Sequence, residues 1–224
     1  MRRRSSVPPD LGFPLPTLLL ISALLSLKQR VEASIHEYRN EAFVPRHNSF
    51  FFHGGSEGMH ASAVHNTKDV SDEKSYIRFE SITFRRPKKV AEKQNAIQLK
   101  TGLVEAIILE VRDRDKIGGS TSHPDDICCN PELSRMGLCR IGEVIIRHNP
   151  DTPEWPNRIQ TFFEGSNEEA KMDIKVVEIN STGMYYLYFV FCDPELKGTL
   201  ISGKTVWRNP DGYLPGKMAP MMTF

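Results

Sequence analysis

Neither sign of charge dominates this chain: its 224 residues carry 29 Lys and Arg against 28 Asp and Glu, a net charge of +1. With the signs interspersed, no basic stripe exists to follow a phosphate backbone, and nucleic-acid binding is excluded as a reading. Internal repeats and low-complexity tracts are absent, and no stretch sustains an apolar period of 3.6 residues, which argues against solenoids and helical bundles. Catalytic signatures are equally sparse. No nucleophile elbow is expected between a strand and a helix, and the seven histidines are scattered without a helical i, i+4 pair. No cofactor motif and no metal-ligand series stand out. After residue 33 no apolar run is long enough to cross a bilayer.

One apolar run does exist, at the N-terminus. Arg2, Arg3 and Arg4 precede a charge-free stretch from Leu11 to Leu27, whose densest part is Thr17-Leu18-Leu19-Leu20-Ile21-Ser22-Ala23-Leu24-Leu25, and Val31-Glu32-Ala33 precedes Ser34. A basic start, a short apolar segment and a small-residue site describe a secretory signal peptide over 1–33. Pro14 and Pro16 shorten the helix below the roughly 20 residues of a span, which favours a cleaved leader over a signal anchor. Removing its five basic and two acidic groups takes the net charge from +1 to −2.

All four cysteines, Cys128, Cys129, Cys139 and Cys192, follow the leader. An even number in an oxidising compartment predicts disulfides, and the spacing does not suit a zinc knuckle. The vicinal pair is too strained to bond internally, so Cys139 joins one of Cys128 and Cys129 while Cys192 joins the other. The longer closure should stabilise more, by roughly 3–5 kcal/mol.

The rest reads as strands separated by turn chemistry. Ser49 to His53 is a short aromatic strand stopped by Gly54-Gly55, and His60 to Lys74 is a mobile polar loop. In Tyr76 to Phe84 the apolar phase changes between Ile77, Phe79 and Ile82, Phe84, which predicts a bulge near Glu80-Ser81. Arg85-Arg86-Pro87-Lys88-Lys89 then suits an exposed sheet edge, and Ala91 to Lys100 a short helix or loop. Leu103 to Val111 has the continuous apolar character of a buried strand. Glu143 to Arg147, Ile159 to Phe163, Ile174 to Ile179, Met184 to Cys192 and Thr205 to Trp207 complete the set, with Met184 to Cys192 at the centre of a sheet. About eight short strands with turns every 8–12 residues predict an all-β, antiparallel β-sandwich.

Candidate chemistry yields to blander readings. Phe52-His53-Gly54-Gly55 has a faint likeness to an esterase oxyanion element, but a strand ending in a glycine turn explains it. Asp113-Arg114-Asp115 and Asp125-Asp126 offer four carboxylates for calcium, yet Arg114 and the lack of a spaced ligand series point to a solvated loop. Oxidised cysteines supply no thiolate nucleophile. The chain is therefore expected not to be an enzyme. Asn180-Ser181-Thr182 is an N-glycosylation sequon on a surface turn.

Several ordered segments carry a family resemblance. Ser34-Ile35-His36-Glu37-Tyr38, Phe50-Phe51-Phe52-His53-Gly54-Gly55, Lys100-Thr101-Gly102-Leu103-Val104-Glu105-Ala106-Ile107-Ile108-Leu109-Glu110 and Gly183-Met184-Tyr185-Tyr186-Leu187-Tyr188 come first. Cys192-Asp193-Pro194-Glu195-Leu196 and Trp207-Arg208-Asn209-Pro210-Asp211-Gly212-Tyr213-Leu214-Pro215 follow in order. Together they resemble the lumenal N-terminal domain of plant lung-seven-transmembrane-receptor-like proteins, candidate G-protein-coupled receptors. The resemblance implies a Golgi-dynamics (GOLD) type sandwich over 34–208 and a connector towards the membrane over 209–224. It also implies a Golgi or secretory-pathway location and a trafficking or receptor-like role. Family members continue into seven membrane helices that these residues lack, so the expectation is a truncated or free lumenal domain. Its partner would be a lumenal protein or a carbohydrate, met by the His60–Lys74 and Asp113–Asp126 loops. The alternative is a free secreted carbohydrate- or protein-binding sandwich.

Overall fold

The computed structural model describes residues 34–62, 74–94, 100–119, 125–148, 150–209 and 214–215. The expected leader, most of the connector, residues 63–73 of the first loop and 120–124 of the second lie outside them. Eleven strands form among the described residues: β1 (Ser34–Ala42), β2 (Val44–Arg46), β3 (Ser49–Met59), β4 (Tyr76–Arg85), β5 (Leu103–Glu110) and β6 (Asn157–Phe162), then β7 (Glu169–Lys171), β8 (Val176–Glu178), β9 (Gly183–Phe191), β10 (Leu200–Arg208) and β11 (Leu214–Pro215). One sheet has the order β1-β10-β4, with β7 and β8 both paired to β4; the other has the order β11-β3-β9-β5-β6, with β2 on β3. Every pairing is antiparallel. The two sheets make the all-β sandwich that the turn spacing predicted. No helix among the described residues is long and apolar enough to cross a membrane.

Period-2 alternation builds the core. Tyr185, Leu187, Phe189 and Phe191 of β9 and Val104, Ala106 and Ile108 of β5 face inward from one sheet. They meet Ile77, Phe79, Ile82 and Phe84 of β4 and Ile201 and Trp207 of β10 from the other. Phe189 is the hub, with its ring edge-on to Tyr38, Phe79 and Phe84 at centroid distances of 5.7, 6.3 and 5.8 Å. β9 lies between β3 and β5, the central place expected for the most apolar run.

The predicted bulge is present. Between Ser202↔Thr83 and Lys204↔Glu80, β4 carries one residue more than β10, and Ser81 adopts φ 54°. The extra residue shifts the strand's phase, so Ile77 and Phe79 before it and Ile82 and Phe84 after it all reach the core.

Several strand limits differ from expectation. β3 does not stop at Gly54-Gly55 but runs on to Met59, with a register shift between His53 and Gly55. β10 begins at Leu200, well before Thr205, because its pairing with β1 and β4 outweighs the weak local pattern of Ser202-Gly203-Lys204. Glu143 to Arg147 is not a strand: Val144 and Ile146 make only isolated bridges, to Cys128 and Ile117. β4 is no edge either, having partners on both sides, and the run after it is not uniformly exposed. Arg86 is 1% exposed, its guanidinium donating to the carbonyls of Asn167, Thr101 and Gly165 and lying over the Phe163 ring. Carbonyl dipoles in place of water explain how the cation is accommodated.

Deleting Ser81 should turn one half of β4 inside out and abolish the soluble folded protein. Ser81→Gly, which suits positive φ, should stay within about 1 kcal/mol of the native chain. Denaturant titration of the two variants distinguishes a bulge that sets phase from an incidental kink.

Candidate functional site

The most built feature beyond the core is the excursion 111–148 between β5 and β6, whose described parts, 111–119 and 125–148, fold onto the outer face of the β3-β9-β5 sheet. Its apolar contacts are Val144, Ile117, Ile127 and Ile146, set against Ile107, Leu109 and Val190. This third layer explains why β5 and the end of β9 read as continuous apolar runs: both their faces are covered. One disulfide ties it to the sheet and a second closes a loop within it. Cys128 bonds Cys192, just past the end of β9, and Cys129 bonds Cys139, which settles the two connectivities left open by spacing.

Polar groups set its register. The Asn48 side-chain carbonyl accepts from the amides of Ile127 and Cys128 at 2.9 and 3.0 Å, while its NH2 donates to the Cys128 carbonyl at 2.9 Å. Buried Glu105 accepts from the Val144 amide at 2.6 Å and from Gln160 at 3.3 Å. Arg158 joins the group, 3.2 Å from Glu105 and 2.8 Å from Glu143, and donates to the Val144 carbonyl. Burial holds the Glu105 carboxyl above its ordinary range, outweighing the opposing pull of Arg158.

A second feature is an open groove of about 560 Å³ between β1 and β3, lined by His36, Tyr38, His53, Gly54 and Ser56 among others. Glu57 Oε1 lies 2.7 Å from His36 Nε2 and accepts from Ser34 Oγ at 2.9 Å; the Glu57 side chain is 3% exposed. Serine, histidine and acid are together, but not as a relay. A relay needs the imidazole between the hydroxyl and the acid, whereas here both donors converge on one carboxylate oxygen. The cluster ties β1 of one sheet to β3 of the other.

The glycines serve this contact. A Cβ on Gly54 would lie 2.8 Å from Phe189 and 2.9 Å from Leu187, and one on Gly55 would lie 3.1 Å from the His36 ring. Close approach to the core and to His36, not a turn or an oxyanion hole, accounts for His53-Gly54-Gly55. Gly54-Gly55-Ser56-Glu57-Gly58 does spell Gly-x-Ser-x-Gly, a match that reading for strand-to-helix elbows passes over. All five residues lie within β3. Ser56 pairs with Tyr186 and Glu57 with Tyr185, so their side chains leave opposite faces of the strand. Sequence reasoning also missed Ser34, His36 and Glu57, whose only local signal is the period-2 spacing of Ser34, His36 and Tyr38 along β1.

The remaining sequence-predicted positions stay apart. Asn180 is exposed on the turn between β8 and β9. That turn is held by the Tyr185 hydroxyl donating to the Ser181 carbonyl and by the Ala61 amide donating to Thr182 Oγ1. Asp113 is not solvated: it lies in a 3-10 turn, Val111–Lys116, and is 3% exposed. Among the described residues no group of three His, Cys, Asp or Glu is placed to hold a metal. Comparison with protein-family models and with curated proteins finds no match.

Two predictions follow from the excursion's anchors. Cystine closures separated by 64 and 10 residues should contribute about 4 and about 3 kcal/mol in the chain-entropy account. Replacing Cys128 and Cys192 with Ser should therefore cost more stability than replacing Cys129 and Cys139, and should raise amide exchange across β5 and β9 as well as in the excursion. For Glu105, a folded pKa above the unfolded one gives stability that is complete below about pH 4.5 and lost as pH rises through the folded value. Glu105→Gln should escape that loss, so its melting temperature relative to the native chain should be higher at neutral pH than at about pH 4.

Proposed function

We propose that this chain is a non-enzymatic binding domain of the secretory-pathway lumen, of the GOLD type borne by seven-transmembrane receptor-like proteins. The observation that carries the reading is the pair of disulfides in the excursion between β5 and β6, Cys128–Cys192 tying it to the end of β9 and Cys129–Cys139 closing a loop within it, since such bridges persist only under oxidising conditions. The leader-like residues 1–33 and the sequon at Asn180 point to the same compartment. The arrangement of Ser34, His36 and Glu57 favours binding over catalysis, because the acid engages the hydroxyl that a hydrolase would leave to its base. A sandwich that presents stapled loops is suited to holding a partner in fixed geometry. On this reading the partner is a lumenal protein, the role is in receptor function or Golgi trafficking, and membrane attachment runs through segments following the sandwich.

One observation favours the alternative, a free secreted carbohydrate-binding sandwich. Tyr186 and Tyr188, half-buried beside the excursion, stack at 5.8 Å on the outer face of β9, with His53 5.3 Å from Tyr188, and the ring surface left in water suits a sugar ring.

Expression of the full chain in eukaryotic cells tests the proposal. The expected result is lumenal protein with no free thiols and a glycosidase-sensitive mobility shift that Asn180→Gln removes. Cytosolic protein with four reduced cysteines would overturn it. Glycan binding that is lost in Tyr186→Ala and Tyr188→Ala would move the conclusion to the alternative.

A further inference from the structure

The loop closed by Cys129 and Cys139 is packed and capped inside and carries exposed apolar side chains. Leu133, 1% exposed, packs against Cys129, Cys139 and Ile145. The Asn130 side chain accepts from the Leu133 amide at 2.9 Å and donates to Asp126 at 2.8 Å. Folding thus uses Leu133 and leaves its neighbours outside: Met136, Leu138 and Ile141 are 60%, 55% and 64% exposed. Three large apolar side chains are thus exposed within six residues of chain, two inside the closed loop and Ile141 just past it.

The charges beside them are cationic. Arg135 and Arg140 lie before and among the apolar residues and are exposed, with Arg135 also donating to the Pro131 carbonyl at 3.2 Å. Elsewhere Arg39, Arg78, Arg85 and Lys204 are matched to carboxylates, but among the described residues no ion pair is formed by Arg135 or Arg140. With Glu132 the only acid between Asn130 and Gly142, the loop is net positive by one charge.

We propose that this loop docks on an anionic phospholipid surface, with Met136, Leu138 and Ile141 entering the headgroup layer and Arg135 and Arg140 meeting lipid phosphates. A protein partner fits less well. Stable protein interfaces bury about 800 Å² per side and draw on roughly 20–30 residues, whereas this loop is closed between Cys129 and Cys139 and has no aromatic residue. Interfacial membrane binding instead needs only a few aliphatic groups inserted to shallow depth with cations above them. The bridge and the Asn130 cap add rigidity, so little ordering entropy opposes insertion. This inference stands apart from the receptor reading, because it concerns a surface the chain presents whatever its tether.

Met136→Trp in the full chain tests the proposal, since Trp155 and Trp207 are buried and report little at this surface. Vesicles of phosphatidylcholine with phosphatidylserine should shift the new indole's emission to the blue and allow quenching by spin-labelled lipid; vesicles of phosphatidylcholine alone should do neither. In that background Arg135→Gln and Arg140→Gln should each weaken binding about fivefold. Leu138→Ser with Ile141→Ser should weaken it by roughly tenfold or more, with the near-ultraviolet dichroism unchanged. Unaltered emission in both kinds of vesicle overturns the proposal. So does an equal shift in both, and so does flotation of the chain through its N-terminal apolar run while the new indole stays silent.

Discussion

Strand β9 is buried on its inner face and partly covered on its outer one, and the architecture follows from that arrangement. Inward, Tyr185, Leu187, Phe189 and Phe191 fill the space between the sheets. Outward, Tyr186, Tyr188 and Val190 lie beneath the excursion 111–148. An isolated two-sheet sandwich would leave the outer row in water. Among the described residues the excursion's isolated bridges, Ile117–Ile146 and Cys128–Val144, pair it with itself and not with the sheet. Its attachment therefore falls to covalent and polar anchors: Cys128–Cys192, Asn48 and Glu105.

Two buried ionic groups show different solutions to desolvation. Among the described residues Arg86 has no carboxylate partner and is satisfied by backbone carbonyls and the face of Phe163. Glu105 keeps Arg158 beside it and accepts the Val144 amide, so its charge is placed where it fixes the register of the excursion. Both groups position irregular segments that sheet hydrogen bonds do not reach, which is where polar specificity is needed and hydrophobic burial alone is indifferent to register.

Geometry carries the functional reading where composition is silent. Ser34, His36, Glu57 and a Gly-x-Ser-x-Gly string fall within one region of β1 and β3. The convergence of two donors on one carboxylate oxygen, and the opposite facing of Ser56 and Glu57, make that region a clasp between sheets. The stapled loop is a different kind of surface. Its interior is consumed by Leu133 and the cystine, and Met136, Leu138 and Ile141 remain exposed beside Arg135 and Arg140.

How much could be read in advance depended on the range of the physics involved. Alternation in Tyr76 to Phe84 exposed the bulge, the apolar run at β9 its central place, and the turn chemistry the all-β class, because each is written in neighbouring residues. The vicinal cysteines narrowed the bridges to two connectivities. Which of them forms depends on where the end of β9 meets Cys128, and only folding brings residues 64 apart in sequence to that point. The same holds for Arg86, which looks like an edge cation until the loop at Gly165 and Asn167 closes over it. It holds for Gly54-Gly55, which looks like a turn until Phe189 and His36 occupy the space a Cβ would need. Local pattern determined which segments become strands and which side chains seek the interior. Contacts between distant segments decided what each buried polar group and glycine is for, since desolvation and close packing are properties of the assembled neighbourhood and not of the residue.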